Sequence, residues 1–428
     1  MKITYNHPLN HSTEKERIEA LKLRLEEDGR LEIKIKKREE DANNHVHTTF
    51  SFSPYSPTAA AYEAYRSGLK TCGIVDHDTL AGAEEFAVAS RILGLAYTTG
   101  VELRVHFEAG KWGRMNNPDQ LDSAYVIAHG IPARSIPEFE VFLTPLREFR
   151  RKRVQKMVDK INERFKTYQI KLDFIKDVYE SSEAEKGGSI TERHLMYALA
   201  KKLEEKYGRT KKLIEFLENE LEISLSSKHQ SYLLDDTNPY FLFDLLGFLK
   251  TDSTFFYIDA KDELPKVEAF IEITKRLGGI PAYAYLGDVT NSITGDKAPQ
   301  TFEDSYLDLL VPELKQLGFE AIAYMPSRNT LKQLERLKAL CEKYELMQIS
   351  GEDINSPRQS FQCDELEKPA FRHLIQTTWA LIGHERSLEK DPKRGLLTEK
   401  IKEEYPDLKM RLALFEKIGK DSVKDKGE

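Results

Sequence analysis

The 428-residue sequence has few cysteines, no long apolar run and no excess of positive charge. Its three cysteines, Cys72, Cys341 and Cys363, are far apart and odd in number, which argues against a disulfide framework and against a cysteine-based zinc site. A reducing cytoplasmic compartment is therefore predicted. No stretch of about 18 apolar residues occurs, and the first 20 residues lack the apolar region of a signal peptide. We accordingly expect neither secretion nor a membrane span.

The charge balance excludes a globally basic protein of the kind that binds nucleic acid through its overall charge. The chain has 64 lysines and arginines against 71 acidic residues, a formal net charge of −7. Hydrophobic residues make up 40% of the sequence, enough for a sizeable core, and the charged residues are interspersed with them. The length is typical of roughly two to three domains, or of a single α/β barrel that carries an insertion.

The hydrophobic pattern predicts an α/β fold with two interruptions. Thr13 and Glu16 form a capping box for an N-terminal helix. Strands at 71–75 and 97–105 alternate with helices at 59–67 and 81–93, which is typical of a parallel sheet.

A helical stretch interrupts this alternation, and Thr144 with Pro145 predicts the start of its first long helix. Further helices are predicted at 191–207 and 210–221, after which helices and strands alternate again up to 350. The predicted domains are an N-terminal helical appendage (1–42), a barrel (43–137 and 251–365), a helical insertion (138–250), and C-terminal helices with a polar tail (366–428).

Histidine is scarce, yet three histidines occur where strands should end. His45 and His47 form an H-x-H pair, and in an extended segment both imidazoles lie on one face, about 7 Å apart along the chain, which suits a shared metal. The alternative is a pair of surface histidines beside a loop. His77 lies between two aspartates at the end of an apolar strand, and Glu102 ends the next strand. Charged groups at these positions favour a site at a barrel mouth. Without the histidines, Glu102 would more often be an ion-pair partner.

In their order along the chain, these residues resemble the PHP (polymerase and histidinol phosphatase) family of metal-dependent phosphoesterases. The resemblance rests on H-V-H-T at 45, V-D-H-D-T at 75, G-V-E at 100, R-H at 193, G-G-I-P at 278 and S-G-E-D at 350. It implies a distorted (β/α)7 barrel, TIM-like in outline, whose strand ends hold one to three divalent metals. A helical insertion in the middle of the barrel is also implied.

The resemblance assigns four residues to a first metal: His45, His47, Glu102 and Asp353. His77 matches a further ligand position, and Asp76 beside it is a possible member of the site. The chain departs from the family pattern at three positions, having Phe52 in place of an aspartate, and Tyr285 and Asn355 in place of histidines. A histidine expected in the next strand is matched either by Tyr125 or by His129, four residues later.

The departures predict one well-defined metal, with up to three possible. Tyr125 and Tyr285 are either weak metal ligands, because a phenol must lose a proton near pKa 10 to bind, or packing groups at the end of the barrel. Metal identity is open among Mn, Zn and Fe, since all three tolerate a mixed set of histidines and carboxylates.

Arginines are the candidates for binding phosphate, because a planar guanidinium matches a phosphate dianion. The predicted phosphate-binding residues are Arg193, His194, Arg328 and Arg358, with surface ion pairs as the alternative for each arginine. The basic run 147–153 either contacts a nucleic acid or forms the solvated face of a charged helix, and we favour the solvated face.

The functional hypothesis is a cytoplasmic hydrolase that cleaves a phosphoester with a metal-activated hydroxide. The expected partner is a small phosphorylated substrate such as a nucleotide, a sugar phosphate or an oligonucleotide, with no membrane partner. The alternative is a weakened PHP module that binds one metal and a phosphorylated ligand without turnover. A nuclease is a third possibility, for which the basic run is the only support within the chain.

Overall fold

The computed structural model describes residues 7–31, 35, 38, 41–107, 112, 114–252, 254–289, 301 and 303–424. Within these ranges the chain has an α/β architecture in which one seven-stranded sheet curves into a barrel. The strands are β1 (Asn43–Val46), β2 (Thr71–His77), β3 (Ala96–His106), β4 (Ser123–His129), β5 (Ile280–Ala284), β6 (Ala321–Tyr324) and β7 (Met347–Ser350).

The strands pair in sequential order, and the two edge strands meet. Where the end of β1 meets the segment that follows β7, the His47 amide donates to the Ile354 carbonyl and the Ile354 amide donates to the His45 carbonyl, each at 3.0 Å. The barrel-shaped sheet is therefore nearly closed, as in a TIM-like barrel.

One strand differs from the expected parallel pattern. β4 pairs antiparallel with both β3 and β5, whereas the remaining pairs are parallel. The physical reason is the connection, because the described residues between β3 and β4 (107, 112 and 114–122) contain no helix, and a parallel return needs a crossover helix.

Helices surround the barrel and form the insertion. They are α1 (Glu14–Arg30), α2 (Pro57–Arg66), α3 (Ala83–Leu93), α4 (Ile136–Arg164), α5 (Glu192–Tyr207), α6 (Lys211–Asn219), α7 (Ser227–Leu234), α8 (Phe241–Leu249), α9 (Val267–Arg276), α10 (Leu307–Leu317), α11 (Leu331–Lys343), α12 (Arg372–Lys390), α13 (Glu399–Glu404) and α14 (Leu408–Lys424). The capping box predicted at Thr13 is present. No helix among the described residues combines the length and apolar content needed to cross a bilayer.

The start predicted for the long insertion helix is wrong. α4 begins at Ile136, so Pro145 lies inside the helix. An internal proline lacks the N–H that would close the helical turn and therefore destabilises the helix. Here burial of Phe139 and Leu143 against the barrel outweighs that cost, since both belong to the apolar cluster that covers β3 and β4.

The second half of α4 enters a different apolar cluster. Met157 and Ile161 pack with side chains of α5, α6 and α8, and Phe52, from the segment after β1, packs into the same cluster. Phe52 has φ of 146°, a strained value for a residue with a Cβ, so its burial holds the backbone in this conformation. This aromatic side chain therefore anchors the barrel mouth to the insertion.

The end of the barrel opposite the strand carboxyl termini is closed by α12. Leu381 of this helix packs with apolar residues of the barrel interior such as Val75 and Ile127. Glu385 is fully buried there, and its Oε1 accepts hydrogen bonds from the Thr98 hydroxyl and, at 2.7 Å, from the Thr99 amide. Burial raises the pKa of Glu385 to about 7, although Arg386 and these bonds lower it.

This buried acid predicts a pH dependence of stability. The folded chain holds the Glu385 proton up to a pH of about 7, whereas the unfolded chain releases it near its usual pKa of 4.5. The free energy of unfolding should therefore decrease as the pH rises from 4.5 to 7, by at most about 3 kcal/mol from this group.

Glu385→Gln removes the charge and keeps the acceptor oxygen, so it should raise Tm at pH 8 and have little effect at pH 5. Thermal melts at both pH values check this. An equal change in Tm at the two pH values would contradict the assigned titration.

Candidate metal centre

The strand order brings the predicted ligands to one end of the barrel. His45 lies in β1 and His77 ends β2, while Glu102 lies beside His77 in the register of β2 and β3. Asp353 follows β7 and reaches the same end where β1 and β7 meet. These strands run parallel around the barrel, so their carboxyl-terminal ends share one mouth.

Glu102 lies at the centre of this cluster. Its Oε1 lies 3.5 Å from His45 Nε2, and its Oε2 lies 3.6 Å from His47 Nε2 and 3.0 Å from His77 Nδ1. His47 Nε2 is also 3.3 Å from Asp353 Oδ1. The imidazole rings of His47 and His77 are stacked, with centroids 4.5 Å apart.

The spacing of these atoms fits a metal ion. Two groups, His45 with His47 and Asp353, and His47 with His77 and Glu102, each offer ligand atoms that lie within 4.8 Å of one another. Two ligands at about 2.1 Å from a tetrahedral ion are about 3.4 Å apart. The three longer contacts, 3.3–3.6 Å, are near this value and exceed an ordinary charge-assisted hydrogen bond. The donor set therefore suits a divalent metal.

The electrostatics keep the carboxylate of Asp353 ionised. Burial alone raises its pKa, but the hydrogen bond and charge of His47, together with His45 and Arg193, lower it well below the usual value. At His77, burial and the neighbouring His47 and Arg150 hold the pKa well below the usual value. A neutral imidazole is the form that binds a metal.

Asp76 lies beside the site and orders the segment after His47. Its Oδ1 accepts from the Thr48 amide and the Ser51 hydroxyl, each at 2.6 Å, and its Oδ2 accepts from the Thr48 hydroxyl at 2.6 Å. Ser51 Oγ in turn lies 3.4 Å from His47 Nδ1. Asn355 has a similar role, because its Nδ2 donates to Asp353 Oδ1 at 2.6 Å. Such outer contacts orient metal ligands.

The ligands open into a cavity of about 560 Å³ between the barrel mouth and the insertion. This volume is ordinary for a small-molecule site. The predicted residues among those lining it are His45, His77, Glu102, Tyr125, His129, Arg193, Tyr285, Asp353 and Asn355.

The two tyrosines and His129 contribute differently to the cavity wall. The Tyr285 hydroxyl donates to Asp304 Oδ1 at 2.5 Å and is thus already engaged. The Tyr125 ring lies 6.0 Å from the His77 ring, centroid to centroid. His129 is buried with both ring nitrogens lacking a hydrogen-bond partner within the described part of the chain, and burial lowers its pKa to about 3. His129 is therefore a neutral imidazole.

Three of the four predicted phosphate contacts lie outside the cavity lining. His194 accepts a hydrogen bond from the Thr191 amide at 3.0 Å and packs edge-on against Phe52. Arg328 Nε donates to a backbone carbonyl, that of Leu286, at 3.0 Å.

Arg358 is engaged by the insertion. Its Nε donates to Asp244 Oδ1 at 2.6 Å, and its guanidinium covers the Tyr232 ring at 4.0 Å. Of the four residues, the structure brings Arg193 to the cavity.

The basic run of α4 is solvated only in part, and the favoured interpretation is wrong for two of its arginines. Arg150 and Arg153 are 3% and 6% exposed. They pair with acidic residues from elsewhere in the chain, Arg150 with Asp78 at 2.8 Å and Arg153 with Glu263 at 2.6 Å. These partners are distant in sequence, which the local charge pattern does not reveal.

Asn116 is a cavity residue that no motif indicates. Its side chain accepts from the Tyr125 amide at 2.8 Å and donates to the Tyr125 carbonyl at 2.9 Å, and it also donates to the Ala284 carbonyl. It therefore fixes the position of Tyr125 relative to β5. An isolated asparagine in a connection carries no sequence signal for this role.

No family model matches the chain. Its fold is similar to that of an amidohydrolase from Chromobacterium violaceum, solved with bound sulfate and no metal, with a TM-score of 0.52 and 17% identity over 79% of this chain and 96% of that one. A structure from Bifidobacterium adolescentis, described as a metal-dependent phosphoesterase, gives a TM-score of 0.50 and 18% identity over 78% and 96% of the two chains. At 17–18% identity these likenesses show that the chain shares a fold with an amidohydrolase and with a metal-dependent phosphoesterase.

A short stretch also matches a curated protein. Over 64 residues the chain is 38% identical to the 5′-3′ exoribonuclease of Haemophilus influenzae, which is 15% of this chain and 23% of that protein. The match thus spans about a quarter of the length of this relative.

Metal content tests the centre. Wild-type protein purified without chelator should hold at least about one divalent metal per chain, and His47→Ala and Asp353→Ala should lose it, because each removes an atom of the closely spaced ligand set. Tyr285→Phe is the matched control and should retain metal, since that hydroxyl is bonded to Asp304. Elemental analysis after dialysis measures the ratio. Full metal content in His47→Ala would rule out this ligand set.

Proposed function

We propose that the protein is a PHP-type phosphoesterase that hydrolyses a phosphate ester with the help of a divalent metal. The observation that carries the proposal is the convergence of His45, His47, Glu102 and Asp353 at one barrel mouth with the spacing of metal ligands. Arg193 lines the cavity beside them. The fold shared with an amidohydrolase and with a metal-dependent phosphoesterase supports the same proposal.

In this proposal His45, His47, Glu102 and Asp353 hold the first metal. His77, whose Nδ1 lies 3.0 Å from Glu102 Oε2, forms a second group of ligand atoms with His47 and Glu102. In the proposal it serves a second metal. When bound, such a metal acts as a Lewis acid and lowers the pKa of a water molecule. Mn, Zn and Fe all suit this donor set.

Arg193 binds the phosphate in the proposed reaction. It lines the same cavity as His45, Glu102 and Asp353, and its positive charge lowers the pKa of the Asp353 carboxyl group. A guanidinium there offers paired N–H donors to a phosphate dianion. Its position sets the orientation of the ester toward the ligand cluster.

Tyr125 is a hydrogen-bond donor in this proposal and not a phenolate ligand. Burial raises the pKa of its phenol well above the usual value, although Arg104 lowers it. The side chain lines the cavity near His77. A protonated phenol can donate to an oxygen of the substrate, whereas metal binding would require loss of that proton.

A second candidate function is hydrolysis of RNA from its 5′ end. It is favoured by the 64-residue stretch that is 38% identical to the exoribonuclease. The basic run of α4 gives it no support, since Arg150 and Arg153 are buried in ion pairs. In the broader proposal a nucleotide, a sugar phosphate or an oligonucleotide is the substrate, and the cytoplasm is the location that the cysteine usage favours.

Activity on a panel of phosphoesters tests the proposal. With added Mn²⁺, the wild-type protein should hydrolyse an aryl phosphate, a sugar phosphate, a nucleoside monophosphate or a 5′-phosphorylated oligonucleotide, and Glu102→Gln should abolish that activity. Arg193→Gln should lower kcat/KM about 10- to 100-fold, the range expected for a lost charge-assisted hydrogen bond. Arg358→Gln, an arginine bonded to Asp244, is the control and should be unchanged.

The outcomes separate the candidate functions. Cleavage restricted to the oligonucleotide from its 5′ end supports the exonuclease. A metal-dependent rise in Tm without turnover of any substrate would support the binding module instead, because a ligand that binds the folded state raises its stability. Full activity in Glu102→Gln would overturn the proposed metal centre.

A further inference from the structure

Six charged residues form a buried network between α4, the barrel and the insertion. Three are cationic and three are acidic, so the formal charges balance. They are Asp78, Arg104, Arg150, Arg153, Glu192 and Glu263.

Glu263 is the hub of this network. It pairs with Arg104, with Arg153 at 2.6 Å and with Arg150 at 3.4 Å, and it is 4% exposed. It lies in the segment before α9 and does not line the cavity. Burial raises its pKa, but the arginines lower it below the usual value, so the carboxylate is ionised.

One arm of the network ends directly beside His77. Asp78 adopts φ of 55°, a left-handed conformation that is uncommon for a residue with a side chain. Arg150 Nη2 binds its carboxylate at 2.8 Å, and Arg147 Nη1 donates to its carbonyl at 2.9 Å. Two arginines of the insertion helix α4 therefore hold the residue that follows a candidate metal ligand.

The other arm ends directly beside Arg193. Glu192, in the first turn of α5, accepts from Arg153 at 2.6 Å and lies 3.4 Å from Arg104. The next residue, Arg193, lines the cavity. The network thus includes the residue that follows His77 and the residue that precedes Arg193.

The chemistry of the network favours one geometry. Buried ions are tolerated only when each is paired, and a guanidinium offers its donors in a fixed planar fork. Arg153 uses this fork to bridge Glu192 and Glu263. Displacing α5 or α4 relative to the barrel would leave an unpaired buried charge, which is costly.

We infer that Glu263 is a positioning residue that sets His77 and Arg193 relative to each other through this network. The inference rests on the proposed function for its chemical consequence, since it concerns phosphate binding at the same site. Its structural consequence, the local order of the segments 77–81 and 191–196, is independent of that function.

The test compares Glu263→Gln with a matched control, Glu320→Gln. Glu320 is likewise buried and paired with three cations, Lys275, Lys315 and Lys402, but it does not line the cavity or contact the network. Both variants should lose stability. Arg153→Lys, which keeps the charge but loses the fork, is the second network variant and applies if Glu263→Gln does not fold.

Two measurements decide the outcome. In metal-loaded protein, the affinity for inorganic phosphate should fall at least about tenfold in the network variants and stay at the wild-type value in Glu320→Gln, as expected when a residue that orients ligands is lost. Amide hydrogen exchange should accelerate at both 77–81 and 191–196 in the network variants only.

Wild-type exchange at both segments in a folded network variant would overturn the inference. So would an unchanged affinity for phosphate. Failure of the wild-type protein to bind phosphate at all would instead count against the proposed function, and the exchange measurement would still decide the role of Glu263.

Discussion

The shared carboxylate of Glu102 is the constraint on which the candidate site depends. It faces three imidazoles at 3.0–3.6 Å, and this arrangement requires three neighbouring strands, β1, β2 and β3, to bring these residues to one level of the barrel. The register that pairs His77 with Glu102 fixes one side, and the closure between β1 and β7 brings Asp353 to His47. Glu102 and Asp353 bring two carboxylates together in a confined space, which favours a bound cation. The closure of the barrel and the assembly of the candidate metal ligands therefore depend on the same strand contacts.

The insertion also determines the geometry of the mouth, because it forms part of the cavity wall and contacts segments at the edge of the cavity. Phe52 is buried in the insertion's apolar cluster five residues after His47, so packing outside the barrel constrains the segment that carries this ligand. On the other side of the mouth, the charged network includes Asp78, beside His77, and Glu192, beside Arg193. Apolar burial and paired charges act on different segments, and together they fix the position of the mouth relative to the insertion.

The sequence allowed the alternation of strands and helices to be predicted, as well as the residues that meet at the mouth, because both leave local signals. The strand that ends at His77 and the placement of Glu102 in the next strand follow from apolar runs, although β3 continues past Glu102 to His106; the H-x-H pair is short-range. The antiparallel β4 follows from its connection to β3, whereas the early start of α4 and the burial of Arg150 and Arg153 depend on partners far away in the chain. A charge pattern read along one helix cannot distinguish a solvated face from one that faces buried acids.

The departures from the family resemblance have contacts that explain them. Phe52 stands where an aspartate was expected, and its ring packs into the insertion. Tyr285 and Asn355 stand where histidines were expected; the first donates to Asp304 and the second to Asp353. Each of these side chains therefore supports packing or orients a neighbour at the mouth. With Tyr285 and Asn355 engaged in these bonds, the closely spaced ligand atoms at the mouth belong to two overlapping groups, His45 with His47 and Asp353, and His47 with His77 and Glu102, so His47 is common to both.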